Sequence, residues 1–202
     1  MQTDVGEAYD AIAEEYDTFY RDGDSVQQDR LIAADIATLR RPHDVTIDLG
    51  CGTGLIPRLT RVPSDEYLGV DVSPEMMRVA KRLLPKHNFI VSDVVDLPLN
   101  HPLTLGAFDF AVSTFGPFNY VPDRGKMVTA LTLMLKPTGR FYLGLYGDGH
   151  PGSRALHGSD LPMPQYLTWT ESDISKVFDA APVTYGYWRM GPFWMVWGEK
   201  NV

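Results

Sequence analysis

The chain has 202 residues, 44% of them hydrophobic and 22% charged, which is the composition of one globular domain with a substantial core. Its formal net charge of −8 repels a phosphate backbone and so disfavours a nucleic-acid partner. The single cysteine, Cys51, excludes an intrachain disulfide and a cysteine-based zinc cluster. Neither a signal-peptide pattern nor an apolar run of about 18 residues is found, so we expect a cytoplasmic protein that does not cross a membrane.

Helices and strands alternate along most of the chain. Short apolar runs bounded by turn residues predict strands, and apolar residues at helical spacing lie between them. This alternation is typical of a parallel sheet with helices on both faces. In chain order the predicted elements are helices at 7–20 and 25–40, a strand at 45–49, a short helix after residue 54, a strand at 67–71, a helix capped by Ser73, strands at 88–92 and 108–113, a helix capped by Asp123, and a strand at 141–146.

The pattern changes after residue 147. Residues 147–165 are rich in Gly, Pro, Ser and His and predict an irregular loop. A helix at about 170–180, capped by Thr170 or Ser172, follows, and the segments 183–189 and 193–199 are expected to form an antiparallel hairpin. The aromatic residues of this hairpin are expected mainly to pack across strands, with a subunit contact or an aromatic-lined pocket as the alternative. We therefore expect a doubly wound, mostly parallel seven-stranded α/β sheet that ends in the hairpin.

Polar and glycine residues follow four of the predicted strands, at 48–54, 71, 92–93 and 113–114. In open parallel sheets, ligands bind beyond the carboxyl ends of the strands. The glycines at 50, 52 and 54 would let a ligand lie against the backbone. A carboxylate at Asp71, the tip of the next strand, can accept hydrogen bonds from both hydroxyls of a ribose. The combination predicts a nucleoside site.

The form of the glycine turn distinguishes between nucleosides. A dinucleotide site prefers G-x-G-x-x-G, but position 55 is Leu and the third glycine is Gly54, one residue early. The segment Asp-Leu-Gly-Cys-Gly-Thr-Gly instead resembles motif I of the class I S-adenosylmethionine (SAM)-dependent methyltransferases. Leu135-Lys-Pro-Thr-Gly139 is similar to that family's Leu-Lys-Pro-Gly-Gly turn, with Thr138 in place of a glycine. The resemblance covers nearly the whole chain and implies a Rossmann-like fold, SAM as cofactor and S-adenosylhomocysteine as product.

The resemblance also implies residue roles. The motif I segment would hold the methionine part and Asp71 the ribose, while residues near 72–76 and 93–94 would contact the adenine. The opening Tyr9-Asp-Ala-Ile-Ala-Glu-Glu-Tyr16-Asp17 is similar to the N-terminal lid of small-molecule members, which implies a single domain at 1–202 with a helical lid at 1–42 and an α/β core at 43–202. The predicted cofactor-binding residues are Tyr9, Tyr16, Asp48, Gly50, Cys51, Gly52, Gly54, Asp71, Val72, Met76, Ser92, Asp93, Val94 and Ser113.

The chemistry of SAM agrees with these residues. SAM carries an ammonium but no phosphate, so an acid such as Asp48 suits the ammonium, and the glycines serve close approach. Methyl transfer is an in-line displacement that needs no covalent nucleophile, and no metal site is expected. Where the acceptor must lose a proton, His150 and His157 of the long loop are candidate general bases. A solvated loop histidine is the alternative for each.

The leading hypothesis is methyl transfer to an oxygen or nitrogen of a small molecule, by a monomer or homodimer. The acidic N-terminus is either a solvated face or a feature that favours a cationic or amine acceptor. A nucleic-acid or protein acceptor is the second hypothesis; against it, the fourth strand runs into Ser113-Thr-Phe-Gly-Pro117 and not into the Asn/Asp-Pro-Pro-Tyr element of amino-methylating DNA enzymes. A non-catalytic SAM-binding sensor or partner subunit is the third.

Overall fold

A seven-stranded sheet with the strand order β3-β2-β1-β4-β5-β7-β6 forms the centre of the protein. The computed structural model describes residues 4–150, 164 and 166–202. Strands β1 to β5 are parallel, and β7 runs antiparallel to both β5 and β6, so the predicted fold class is confirmed. The strands are β1 (Thr46–Leu49), β2 (Tyr67–Asp71), β3 (Asn88–Val91), β4 (Phe108–Ser113), β5 (Leu135–Tyr146), β6 (Val183–Met190) and β7 (Phe193–Lys200).

Helices cover both faces of the sheet, and several begin at the side chains that the sequence predicts as caps. Ser73 accepts from the Met76 amide, Asp123 from the Lys126 amide, and Thr170 forms a capping box with Asp173. The helices are α1 (Val5–Asp10), α2 (Gly23–Leu39), α3 (Leu55–Thr60), α4 (Pro74–Leu83), α5 (Leu97–Asn100), α6 (Arg124–Met134) and α7 (Glu171–Phe178), with 3-10 turns at Tyr16–Tyr20, Ser64–Glu66, Pro102–Thr104 and Pro117–Tyr120. Within the described ranges, no helix has the length and apolar character that a bilayer crossing requires.

The two faces of the sheet bury separate clusters because side chains alternate along each strand. In β4, Phe110 and Val112 pack with Ile32 and Ile36 of α2, whereas Ala111 belongs to the cluster of α6 and α7. Helix α2, which the sequence assigns to the lid, is thus joined to the core through two fully buried side chains.

The N-terminal segment, residues 4–20, is not the continuous helix predicted at 7–20. Helix α1 ends at Asp10, turns follow, and a 3-10 helix begins at Tyr16. The Asp10 carboxylate accepts from the Ser73 hydroxyl at 2.5 Å and from the Glu75 amide at 3.0 Å. Docking on the start of α4 therefore prevails over local helical spacing, and that prediction is wrong.

Strand β5 is longer than predicted. It begins at Leu135, which pairs with Phe108, and its register shifts between Phe108 and Phe110. Thr138 has a φ of 60°, the left-handed conformation for which the similar family turn uses glycine. At the other end of the strand, Tyr146 pairs with Phe193, so the turn of the β6–β7 hairpin reaches the edge where the parallel strands end.

Candidate active site

A cavity of about 800 Å³ lies at the carboxyl edge of the parallel strands. Its size is in the range of small-molecule sites, roughly 300–1,000 Å³. The described residues that line it come from the N-terminal segment, α2, the tips of β1 to β5 and the hairpin turn. We call two parts of it the cofactor wall (Asp48, Gly50, Gly52, Asp71, Val72, Met76, Asp93 and Val94) and the ring wall (Tyr9, Phe115, Tyr120, Tyr146, His150 and Phe193).

The three glycines after β1 do three different things. A Cβ on Gly50 would lie 2.3 Å from Pro117, so this glycine lets the loop after β4 pack against the turn. A Cβ on Gly54 would lie 2.7 Å from Leu84, at the end of α4. Gly52 has a φ of 52°, and its Cβ would meet no atom within 4 Å. Since Gly52 lines the cavity, its missing side chain leaves room for a ligand against the backbone.

Asp71 holds the turn and faces the cavity at the same time. One of its carboxylate oxygens accepts from the Gly52 amide at 2.9 Å and the other from the Ser73 amide at 3.0 Å. Burial raises the pKa of Asp71, while these backbone N–H groups act in the opposite direction. Each carboxylate oxygen has a further acceptor site, so Asp71 can also accept hydrogen bonds from two hydroxyl groups.

Asp48 is almost fully buried behind the turn, at 1% exposure. Its carboxylate accepts from the Tyr67 hydroxyl at 2.7 Å. Burial raises the pKa of Asp48 to about 7; the Tyr67 hydrogen bond lowers it and the nearby Asp71 charge raises it. A cation in the cavity would favour the ionised form of this acid.

Cys51 is a buried part of the turn. Its sulfur lies 3.9 Å from the sulfur of Met77. Burial raises the pKa of the thiol well above its ordinary value. Burial therefore disfavours the thiolate, the form in which a cysteine acts as a nucleophile.

The acids of the N-terminal segment fasten it to the core. Beyond the Asp10 contacts with α4, Glu14 pairs with Arg78 at 2.5 Å and with Arg82 at 2.6 Å. Asp17 pairs with Arg58 at 2.8 Å and accepts from the Thr53 hydroxyl at 2.6 Å. Much of the acidic N-terminus therefore serves docking, and the docked segment brings Tyr9 and Tyr16 to the cavity.

Rings meet around the tips of β4 and β5. The imidazole of His150 stacks on the Tyr146 ring at 3.7 Å between centroids and 6° between planes. A Cβ on Gly116 would lie 2.4 Å from the same ring, so this glycine also packs closely against Tyr146. The Tyr146 hydroxyl donates to the Phe115 carbonyl at 2.5 Å, and Phe115 has a φ of 62°, which is uncommon for a bulky residue.

Asn119 joins three of these segments. Its buried amide nitrogen donates to the carbonyls of Tyr146 and Leu167, at 2.8 and 2.6 Å, and its oxygen accepts from the Tyr146 amide at 2.9 Å. The loop after β4, the end of β5 and the segment before α7 are therefore held together by one side chain.

Most of the predicted site residues lie in the cavity lining, namely Tyr9, Tyr16, Asp48, Gly50, Cys51, Gly52, Asp71, Val72, Met76, Asp93, Val94 and His150. Gly54, Ser92 and Ser113 do not. Ser113 is buried in the sheet and donates to the Leu49 carbonyl at 2.7 Å, while Ser92 donates to the Asp93 carbonyl. His157 lies outside the described residues. The ligand contacts of all these residues stay predictions.

Sequence reasoning missed other lining residues, among them Tyr120, Tyr146 and, on α2, Asp24 and Asp29, and it covered Phe193 only through the alternative of an aromatic-lined pocket for the hairpin. Burial raises the pKa of Asp29 to about 6, against the lowering effect of the Arg58 charge. The strand-tip rule could have found Tyr146, but no local signal marks α2 as a wall of the site. The described residues contain no group of three or more metal-ligating side chains.

The cofactor wall fits SAM. Asp71 offers acceptor sites for a ribose, and Asp48 is a buried acid that a ligand's ammonium would ionise. Because Gly52 has no side chain, it leaves room for the ligand to contact the protein backbone at the turn. Val72 and Met76, which also line the cavity, would supply apolar surface for an adenine, and Asp93 with Val94 would supply hydrogen-bonding groups for its edge.

Comparison with known proteins gives three kinds of match. A family model described as a methyltransferase domain matches residues 46–139. The chain is 37% identical over 103 residues to magnesium-protoporphyrin O-methyltransferase of Rhodobacter capsulatus, covering 46% of this chain and 43% of that protein. It is 29% identical over 175 residues to ubiquinone biosynthesis O-methyltransferase of Xanthomonas campestris pv. campestris (strain B100), covering 76% of this chain and 71% of that protein.

A solved structure extends the likeness to the whole fold. It is the 1,6-didemethyltoxoflavin-N1-methyltransferase of Burkholderia thailandensis with bound 1,6-didemethyltoxoflavin and S-adenosylhomocysteine, matched with a TM-score of 0.62 and 22% identity over 100% of this chain and 93% of that one. The chain spans less than half the length of the first relative, so that relative's activity is not carried over. The motif, the sheet order and these matches together support the assignment of this chain to the class I SAM-dependent methyltransferases.

Proposed function

We propose that this chain transfers a methyl group from SAM to an oxygen or nitrogen atom of a small-molecule acceptor. The observation that carries the proposal is one cavity in which a cofactor wall of aspartates and glycines meets a ring wall. Relatives named O-methyltransferases favour oxygen, and the structural neighbour named an N1-methyltransferase favours nitrogen.

On the cofactor wall, the chain's own groups bind and orient. SAM supplies the electrophilic methyl group. Asp71 accepts hydrogen bonds from the ribose hydroxyls while Gly52 and Ser73 amides hold its carboxylate in place. Asp48 in its ionised form offsets the charge of an ammonium. Proximity and orientation of this kind can supply roughly 7–11 kcal/mol of a bimolecular barrier.

On the ring wall, His150 accepts the acceptor's proton. It follows β5 in the cavity lining, and its stack on Tyr146 fixes the plane of the imidazole. The buried thiol of Cys51 does not compete for this role, because its pKa is raised. A positioned base of this kind contributes about 10²–10⁴-fold to the rate.

Three observations favour a small acceptor over a nucleic acid. The net charge of the chain is −8. The N-terminal segment, fastened by Asp10, Glu14 and Asp17, forms one side of the cavity. A volume of about 800 Å³ suits a cofactor and a small molecule together.

Calorimetric titration with S-adenosylhomocysteine tests the cofactor wall. We expect wild type to bind and Asp71→Asn to bind about 100-fold more weakly, since hydrogen bonds to a charged group contribute about 1.5–3 kcal/mol each. Exposed Asp65→Asn is the matched control and should bind like wild type. Binding of NAD with no response to S-adenosylhomocysteine would reject the proposal.

Transfer from methyl-labelled SAM to a metabolite panel tests catalysis. We expect labelled product with wild type, and a kcat lower by about 10²–10⁴-fold in His150→Gln, with unchanged affinity for S-adenosylhomocysteine. An acidic limb in the wild-type pH–rate profile that disappears in the variant would assign the proton to His150. Tight S-adenosylhomocysteine binding without transfer to any acceptor would instead indicate a sensor.

A further inference from the structure

We infer that the acceptor of this site is a planar aromatic compound without negative charge, bound against the ring wall. This inference rests on the proposed function, because it names the acceptor class for the same cavity. Three features carry it: the origin of the rings, their exposure, and the distribution of charge around them.

The rings come from four separate parts of the chain. Tyr9 belongs to the N-terminal segment, Tyr120 to the loop after β4, Tyr146 to the end of β5 and Phe193 to the start of β7. Tyr9 and Tyr120 lie 6.0 Å apart between ring centroids, with their hydroxyl oxygens 3.2 Å apart. Tyr146 and Phe193 lie 5.6 Å apart. Because each of the four segments places a ring at the same cavity, the aromatic surface is formed by the tertiary fold and not by neighbours in sequence.

Tyr146 is buried, but other rings of the ring wall are not simply core. Phe141 and Phe178, which stack at 5.7 Å on the α7 side of the sheet, are fully buried. Phe115, Tyr120 and Phe193 keep part of their surface exposed although they lie in a cavity inside the fold. A partly exposed ring in a cavity offers a face or an edge, and aromatic ligands pack on such rings in offset or edge-to-face arrangements.

Charge around the cavity disfavours an anion. Among the described residues, seven aspartates but only two arginines line it. Arg58 already pairs with Asp17 beside the glycine turn, and Arg21 directly follows the N-terminal segment. None of the described lining residues after β4, after β5 or in the hairpin turn is lysine or arginine. A carboxylate placed on the ring wall would lose its hydration without gaining the counter-charge of a lysine or arginine.

Matched probes test separately whether the site prefers an aromatic ring and whether it disfavours a negative charge. Binding is measured by calorimetry on protein saturated with S-adenosylhomocysteine, so the readout does not depend on turnover. The trio is 2-naphthol, its saturated analogue decahydro-2-naphthol, and its carboxylated analogue 3-hydroxy-2-naphthoic acid; phenol, cyclohexanol and salicylic acid form a smaller trio. We expect the neutral aromatic member to bind at least about fivefold more tightly than its two matches.

A variant places the binding. Phe193→Leu removes a ring but keeps an apolar side chain, and should weaken 2-naphthol binding about two- to tenfold. Its affinity for S-adenosylhomocysteine should match wild type. Leu103→Ala, at 95% exposure and outside the cavity lining, is the control and should change neither.

Two failures are distinguishable. Equal or tighter binding of the saturated or carboxylated probes, or no naphthol binding to the loaded protein, would overturn the inference and leave the proposed function standing. Absence of S-adenosylhomocysteine binding would overturn the proposed function itself.

Discussion

The cofactor wall and the ring wall are built in different ways. The cofactor wall is made of the backbone turn after β1, residues at or just beyond the ends of β1, β2 and β3, and Met76 of α4, and it is held by hydrogen bonds such as that from the Gly52 amide to Asp71. The ring wall consists of large side chains from segments far apart in sequence, fixed by Asn119 and by packing on Gly116. The first depends on local backbone geometry and the second on how the whole fold assembles, so the two should respond to different substitutions.

Asn119→Ala should give the largest effect. It removes the side-chain donor to the Leu167 carbonyl and the acceptor of the Tyr146 amide, while the Tyr146 carbonyl keeps its hydrogen bond from the Trp169 amide at 2.8 Å. Each unpaired buried group costs about 1–3 kcal/mol, so we expect the free energy of unfolding, measured in urea, to fall by about 2–6 kcal/mol. At low temperature, where the variant remains folded, the binding of 2-naphthol should weaken much more than the binding of S-adenosylhomocysteine. Exposed Asn100→Ala is the control, and equal losses of both ligands would contradict the separation of the two walls.

Asp48 should make stability depend on pH. Its pKa is raised from an ordinary 3.8 to about 7, mainly by burial, so the folded state holds the proton more tightly than the unfolded chain. The contribution of the Asp48 proton to the free energy of unfolding is therefore present in full below about pH 4 and is lost as pH rises to about 7. At 1.36 kcal/mol per pKa unit, this loss is up to about 4 kcal/mol. Melting temperatures of wild type should fall across this range relative to Asp48→Asn.

Cofactor binding should reduce that dependence. An ammonium near Asp48 favours its ionised form, so S-adenosylhomocysteine should release protons when it binds near neutral pH. Calorimetry in buffers of different ionisation enthalpy measures this release. Parallel melting curves for wild type and Asp48→Asn, with no proton release, would show that the cofactor wall carries no such coupling.

Gly52 and Gly106 form a matched pair. Their φ angles are 52° and 57°, and a Cβ on either would meet no protein atom within 4 Å. Alanine at either position therefore carries the same left-handed strain, about 1–2 kcal/mol. Only Gly52 lines the cavity, so Gly52→Ala should weaken S-adenosylhomocysteine binding at least about tenfold, and Gly106→Ala should leave it unchanged. Equal affinities would mean that the turn does not approach the ligand.

The smallest effect is expected where the N-terminal segment docks on the start of α4. Asp10→Ala removes the acceptor for the Ser73 hydroxyl and the Glu75 amide, at a cost of about 1 kcal/mol, comparable to a lost helix cap. Hydrogen exchange of the amides at 9–13 should accelerate. Glu7→Ala, an exposed acid on the same helix, is the control; unchanged exchange in Asp10→Ala would show that other contacts hold the segment.

The contrast between local backbone geometry and assembly of the whole fold explains which features can be predicted from the sequence. The glycine turn, the strand tips at 48 and 71 and the caps Ser73, Asp123 and Thr170 follow from local backbone rules, and the structure places them as expected. The helix at 7–20 fails because Asp10 finds partners on α4, which no local pattern announces.

The rest of the site depends on tertiary placement. Ser113 follows the strand-tip pattern but points into the sheet, because side chains alternate along β4 and its neighbour Thr114 takes the cavity position. Phe193 reaches the cavity only because β7 pairs antiparallel with β5. The sequence assigns Phe193 to the hairpin and leaves an aromatic-lined pocket only as an alternative to cross-strand packing.

The order of strands also has a consequence for how the chain is made. Strand β7 lies between β5 and β6, although it comes after both in synthesis. In the part of the chain that the structure describes, β6 pairs only with β7. When synthesis has reached residue 190, β6 is therefore complete but has no strand to pair with. The sheet can be completed only after residues 193–200, which form β7, have been added.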